Sequence, residues 1–168
     1  MEFIYNFFIY GFIGWVIENL FSYYINKRFQ EDSFLRGPFK PMYAIAMAWI
    51  IELNKAFPNI IFLVFISMLI PTAVEYITGL LMRKVFNKDY WDYCNEKFNY
   101  KGIICLRFSI AWVALSIIDV KIIHPYFIHK IYSLISVIWP SIAISLIILL
   151  IIDEVITLRS FINKGQIN

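Results

Sequence analysis

The chain has 168 residues, of which 61% are hydrophobic and 16% are charged, and its mean hydropathy is +0.69. Soluble proteins contain on average about 45–50% apolar and about 25% charged residues, so this chain has too little polar surface to cover a soluble globule. A net charge of only +3 argues against nucleic acid as a partner, because nucleic-acid-binding proteins carry a strongly basic face. A single transmembrane domain over residues 1–168 is therefore predicted.

Apolar stretches along the chain predict where it crosses the bilayer, since a transmembrane helix needs about 20 mostly apolar residues. These stretches lie at residues 3–25, 39–56, 59–85, 103–123 and 131–152. The stretch at 39–56 is short for a crossing, and a re-entrant segment is the alternative there. The predicted fold class is all-α, a polytopic integral membrane bundle of about five transmembrane helices.

The distribution of basic residues predicts the orientation of this bundle. Most Lys and Arg residues fall in the predicted loops 26–38 and 86–102, beside these loops, or in the C-terminal tail, whereas Lys55, Lys121 and Lys130 lie on the other side. Cytoplasmic loops carry an excess of Lys and Arg. The two loops and the C-terminus are therefore predicted to be cytoplasmic, with the N-terminus outside.

An acidic residue interrupts the first span. An ionised side chain at the centre of a span costs on the order of 2.5–3.5 kcal/mol on insertion scales. Gly11, Gly14 and Glu18 share one helix face, and small residues allow close approach of another element. Glu18 is therefore expected to face protein, either as a structural carboxylate paired with an Arg or as a functional group in a polar cavity.

A second acid, Glu75, lies in the third span on a face shared with Pro71 and Gly79. Both acids are predicted to lie roughly 10 Å below the cytoplasmic end of their spans. They are expected to face each other or to meet basic partners. Arg36 and Arg107 are the predicted partners, because buried charges are paired or neutralised.

The two segments that carry the remaining candidate residues differ in character. Arg36 belongs to the motif RGPFKPMY, in which two prolines stiffen the path into the second span. The motif is either a plain helix entry or a rigid strap that presents Arg36 at a cavity mouth.

The loop from Asn87 to Gly102 is rich in aromatic residues, which fits an interfacial amphipathic segment or a docking element for a cytoplasmic partner. The candidate substrate or polar cluster contains Glu18, Glu75, Arg36, Arg107, Asp92, Trp91, Tyr93 and Asn99.

No recognisable catalytic, nucleotide-binding or metal-binding motif occurs in the sequence. Cys94 and Cys105 form neither a disulfide framework nor a zinc site. His124 and His129 lie five residues apart, and this spacing does not define a metal site. We therefore expect no metal, no cofactor and, on balance, no enzymatic activity.

Several short motifs together resemble a known bacterial family. They are GWxxE (Gly14, Trp15, Glu18), RGPxxPxY (Arg36 to Tyr43), EYxTG (Glu75 to Gly79), WDY (Trp91 to Tyr93), FNxxGxIC (Phe98 to Cys105) and the pair His124–Pro125. The resemblance is to the putative ABC-transporter type IV family and extends as far as Pro125. The chain departs from the family pattern at Ile103, where an Arg is expected.

The resemblance implies an ABC-type permease or transport component of unknown substrate in the bacterial plasma membrane. It also implies a separate cytoplasmic ATPase, because this chain has no Walker motif, and a homo-oligomer that supplies more spans than one chain holds. Two other functions remain open. One is a membrane enzyme that acts on a lipid or isoprenoid through Glu18, Glu75 and Asp92. The other is a non-catalytic membrane subunit or regulator.

Overall fold

The structure, a computed structural model, describes residues 1–29 and 33–163. Residues 30–32, in the predicted loop 26–38, and residues 164–168 of the predicted C-terminal tail lie outside the described residues. The described part is mostly helical, which confirms the helical class. The helices are α1 (Glu2–Asn26), α2 (Pro41–Ala56), α3 (Ile60–Val85), α4 (Leu106–Ile118), a π-helical segment (Asp119–Ile128), α5 (His129–Ile135) and α6 (Trp139–Asn163).

Local sequence signals explain where several helices begin. Helix α2 begins at Pro41, which suits a first helical position because its backbone nitrogen needs no partner there. Helix α3 is capped by Asn59, whose side-chain oxygen accepts hydrogen bonds from the backbone N–H groups of Ile61 (2.8 Å) and Phe62 (3.2 Å). Pro140 is the second residue of α6, so it lies in the first turn of a helix rather than at a kink within one.

Three helices among the described residues are long and apolar enough to cross a membrane, namely α1, α3 and α6. Helix α2 has 16 residues, or roughly 24 Å at 1.5 Å per residue, which is less than the hydrocarbon thickness of about 30 Å. From Leu106 to Ile135, α4, the π-helical segment and α5 continue one another without a break. The predicted number of five spans stays a prediction.

Helices α1 and α2 pack closely because α1 carries glycine on the contacting face. A Cβ atom at Gly11 would overlap the ring of Phe39, and one at Gly14 would overlap Tyr43. The backbone N–H of Lys40 also donates to the carbonyl of Gly11 at 2.9 Å. Gly11 and Gly14 of α1 thus leave space for the rings of Phe39, just before α2, and of Tyr43, in the first turn of α2.

The segment between α3 and α4 is a folded cap that includes a small hairpin. Strand β1 (Asn99–Tyr100) pairs antiparallel with β2 (Ile104–Cys105). Lys101 and Gly102 turn the chain in left-handed backbone conformations, with φ of 56° and 67°, as tight hairpin turns require. The Trp91 indole N–H donates to the Ile103 carbonyl at 2.8 Å and joins the start of the segment to the hairpin. This hairpin was not among the predicted elements, since two-residue strands have no periodicity to detect.

Candidate functional site

A cavity of about 630 Å³ lies between helices α1, α2, α3 and α4 and the segment 87–105. Glu18 of α1 and Glu75 of α3 both contribute to its wall, and we refer to it as the Glu18–Glu75 cavity. Most of the other lining groups are aromatic, and they include Phe21, Tyr43, Tyr90, Trp91, Tyr93, Phe108 and Trp112. The tertiary structure therefore brings together four of the eight candidate residues, namely Glu18, Glu75, Trp91 and Tyr93.

Glu75 is the most deeply buried acid of this cavity, with 6% of its surface exposed. Its Oε1 atom accepts a hydrogen bond from the Tyr93 hydroxyl at 2.9 Å. Its Oε2 atom is buried and has no hydrogen-bond partner among the described residues. Buried polar atoms are nearly always partnered in proteins, so Oε2 retains the capacity to accept a hydrogen bond from a group that enters the cavity.

Tyr93 comes from the segment 87–105 and lines the cavity beside Glu75. Its ring stacks on Phe108 at the start of α4, with ring centroids 4.7 Å apart. Burial, and then the nearby negative charge of Glu75, raise the pKa of the Tyr93 phenol above its ordinary value. The hydroxyl therefore stays protonated and remains a hydrogen-bond donor.

Glu18 is paired with a residue that the sequence reasoning did not select. Its carboxylate forms an ion pair with the Lys40 ammonium, and the two side chains are 22% and 10% exposed. Lys40 lies directly before α2 in the predicted strap, where its position between Phe39 and Pro41 was the available signal. The pair satisfies the rule that buried charges have partners.

The two arginines lie elsewhere, which corrects the predicted pairing of Arg36 and Arg107 with the acids. Arg107 binds Glu96 at 2.9 Å with a side chain that is 70% exposed. Arg36 is exposed, and its backbone N–H donates to Asp153 of α6 at 3.2 Å. The neighbouring Gly37 N–H donates to the same carboxylate at 2.9 Å. The physical reason is that other groups already reach both acids. Lys40 pairs with Glu18, and the Tyr93 hydroxyl donates to Glu75.

Asp92 and Asn99 hold the shape of the segment 87–105 and do not line the cavity. Hydrogen bonds from the thiol and backbone N–H of Cys94 keep the pKa of Asp92 below its usual value. The Asn99 amide donates to the carbonyls of Cys94 (3.2 Å) and Glu96 (2.8 Å), and its oxygen accepts from the Gly102 N–H (3.2 Å). Both residues therefore stabilise the loop that carries Trp91 and Tyr93.

A second, mainly apolar cavity of about 710 Å³ lies between α1, the strap and α6. Arg36 and Asp153 contribute polar groups to it, and Phe8, Phe12 and Phe39 are among its aromatic residues. Asp153 was not a candidate residue from the sequence. In the sequence it directly follows the predicted span 131–152, where an acid is expected to reach the interface, so nothing indicated that it would bind the backbone of the strap.

Three helices that are long and apolar enough to cross a membrane define the chain as a helical membrane protein. Residues 5–158 match the model of the family described as Putative ABC-transporter type IV, and the chain belongs to this family. The family recognised from the motifs is thereby confirmed, and the match continues beyond Pro125 into α6. No curated protein and no solved structure matches the chain.

Proposed function

We propose that the protein is the permease-like component of an ABC-type transporter of unknown substrate in the bacterial plasma membrane. In this proposal it crosses the membrane several times, with the N-terminus outside and the C-terminus in the cytoplasm. The Glu18–Glu75 cavity is the polar site that the solute enters from the cytoplasmic side. The observation that supports this role best is the buried Glu75 carboxylate, because one of its oxygens has no partner among the described residues.

The chemistry of the cavity indicates which solutes fit. An ionisable residue within a membrane-spanning helix is costly, and its retention is most often explained by function. Aromatic faces such as those of Trp91 and Trp112 attract cations through their π-electrons. Glu18 is already paired with Lys40, and Arg28 also lines the cavity, so the free acceptor is the Glu75 carboxylate. Together with the aromatic faces, it favours a solute that is rich in hydrogen-bond donors or carries a positive charge.

A separate ATPase would supply the energy, and the segment 87–105 is the proposed contact with it. The hairpin presents exposed rings, with Phe98 81% and Tyr100 54% exposed. Exposed aromatic side chains are enriched where proteins meet partners. The same segment carries Trp91 and Tyr93 in the cavity wall, so a movement of the hairpin would act directly on the cavity.

The first test is affinity isolation of the chain from native membranes in mild detergent, followed by mass spectrometry. We expect a stoichiometric ATPase to copurify, and replacement of both Phe98 and Tyr100 by Ser to release it. Recovery of the chain alone, or only with copies of itself, would contradict an ABC mechanism.

The second test is Glu75→Gln in that copurified complex, with ATP hydrolysis measured in proteoliposomes. The substitution keeps the size of the side chain but removes its charge. We expect at least a tenfold loss of the ATPase rate with normal assembly, since losing a transition-state or substrate contact of about 1.4 kcal/mol changes a rate tenfold. Glu154→Gln, on an exposed position of α6, is the matched control and should retain the rate. A Glu75→Gln complex that assembles and hydrolyses ATP like wild type would favour a purely structural role for the carboxylate.

A further inference from the structure

A second cluster of polar side chains lies far from the Glu18–Glu75 cavity. Glu2 begins α1 and precedes Glu18 by roughly 24 Å of helix, at 1.5 Å per residue. One carboxylate oxygen of Glu2 and one ring nitrogen each of His124 and His129 all lie within 4.8 Å of one another. We refer to these residues as the Glu2–His124–His129 cluster.

The π-helical segment explains why two histidines five residues apart meet. In a π-helix each backbone N–H bonds to the carbonyl five residues earlier, and the His129 N–H indeed donates to the His124 carbonyl. Residues at this interval therefore lie above one another. The expectation that a spacing of five residues does not define a metal site assumed a chain without a π-helical segment. Short π-helical segments occur often at functional sites.

Hydrogen bonds behind His124 fix which of its ring nitrogens is available. The Tyr10 hydroxyl donates to Asp119 Oδ2 at 2.7 Å, so its oxygen can only accept from His124 Nδ1, which lies 3.0 Å away. This arrangement assigns the proton of the neutral imidazole to His124 Nδ1 and the lone pair to Nε2. A histidine whose N–H is held in this way by a second group is the usual arrangement of a metal ligand.

Nothing in the described part of the chain uses that lone pair. His124 is 8% exposed, and its Nε2 atom is buried with no hydrogen-bond partner among the described residues. A buried nitrogen without a partner is costly. This observation is independent of the proximity of the three side chains, and it leaves Nε2 able to bind a ligand.

The remaining two members are already in contact. His129 Nδ1 lies 2.9 Å from Glu2 Oε1, and the Lys55 ammonium lies 2.9 Å from Glu2 Oε2. The side chains of His129 and Lys55 are 53% and 38% exposed, so both have room to rearrange. Lys55 supplies the positive charge that Glu2 requires, and an incoming cation would compete with it.

We propose that the Glu2–His124–His129 cluster binds a divalent transition-metal ion of the zinc class. Two imidazoles and one carboxylate form a known zinc ligand set, with Zn–N and Zn–O distances of about 2.0–2.2 Å. Ligand atoms around tetrahedral zinc are then about 3.4 Å apart. The three ligand atoms already lie within 4.8 Å of one another, so small side-chain adjustments are needed, and the exposed His129 has room to make them. The mixed nitrogen and oxygen donors suit Zn²⁺ better than Ca²⁺ or Mg²⁺, which prefer oxygen alone.

Calorimetric titration of the full chain with ZnCl₂ in detergent tests the proposal. The affinity tag should contain no histidine and should follow the C-terminus, away from Glu2. We expect one Zn²⁺ per chain, and at least a tenfold loss of affinity for His129→Ala and for Glu2→Gln. Tyr10→Phe should weaken binding by about 10–100-fold, the usual effect of losing the group that orients a ligand histidine.

Two controls and one opposite effect separate metal binding from disturbed folding. Lys130→Ala, next to the cluster, and Cys94→Ser, which removes the exposed thiol, should both leave the affinity unchanged. Lys55→Met should strengthen binding, because it removes the cation that competes for Glu2, and a misfolded variant would not bind more tightly. Stoichiometric binding that survives His129→Ala together with His124→Ala, or that disappears in Cys94→Ser, would overturn the proposal, as would the absence of binding to wild type.

Discussion

At the scale of single residues, the contact between Tyr93 and Glu75 joins a loop to the middle of α3, a helix long and apolar enough to cross a membrane. The hydroxyl is the only hydrogen-bond donor that the described residues offer to the Glu75 carboxylate. Burial and the charge of Glu75 raise the pKa of Tyr93, so this donor is available throughout the physiological pH range. The contact therefore both stabilises the acid and orders the segment 87–105 above the cavity.

Tyr93→Phe removes this hydroxyl and keeps the stacking on Phe108. We expect a loss of about 1–3 kcal/mol in the free energy of unfolding, the usual cost of leaving a buried acceptor without its donor. Thermal unfolding in detergent measures the effect. Tyr100→Phe, at an exposed ring of the same segment, is the matched control, and equal stability of the two variants would contradict the assigned role of the contact.

At the scale of secondary-structure elements, the packing of α1 against α2 sets the position of Lys40, and hence the partner of Glu18. Gly11 and Gly14 leave room for Phe39 and Tyr43 on either side of Lys40. The hydrogen bond from the Lys40 N–H to the Gly11 carbonyl fixes the register of the two elements. A glycine pattern read from the sequence as a site of close approach thus determines which cation reaches Glu18.

Gly14→Ala should therefore separate α1 from α2, because the added methyl group overlaps Tyr43. We expect a loss of about 1–3 kcal/mol in the free energy of unfolding, as is typical for an overfilled core. Gly37→Ala is the graded comparison, since a Cβ atom there would lie 3.2 Å from its nearest neighbour, Asp153 Oδ2. The prediction fails if thermal unfolding shows Gly14→Ala to be no less stable than Gly37→Ala.

At the scale of the whole molecule, chemical labelling of the two cysteines can test the proposed orientation of the chain in the membrane. Cys94 is exposed and Cys105 is buried, so a membrane-impermeant maleimide should modify Cys94 alone. We expect labelling in inside-out vesicles and little in intact cells, with Cys94→Ser as the control. The hydrogen bond to Asp92 raises the pKa of the Cys94 thiol, so the rate should rise with pH. Labelling from outside intact cells would reverse the orientation.

The helical class, the membrane location and the family followed from sequence because each depends on local information. Apolar runs near residues 3–25 and 59–85 exceed the length that a bilayer requires, and helices α1 and α3 follow them within a few residues. The last helix begins later than the predicted span 131–152, at Trp139. The residues on both sides of the turn at 136–138 are hydrophobic, so a hydropathy pattern does not reveal where this turn lies.

The sequence by itself determined that this chain needs a bilayer and that Glu18 and Glu75 must face protein, because a charge in lipid is costly wherever the fold places it. Only the tertiary structure decided the partners of those acids. Lys40 and Tyr93 reach them, whereas Arg36 and Arg107 do not, because pairing depends on the register between α1 and α2 and on the path of the segment 87–105. The same holds for His124 and His129, which are brought together by a local change of helical hydrogen bonding that residue spacing does not reveal.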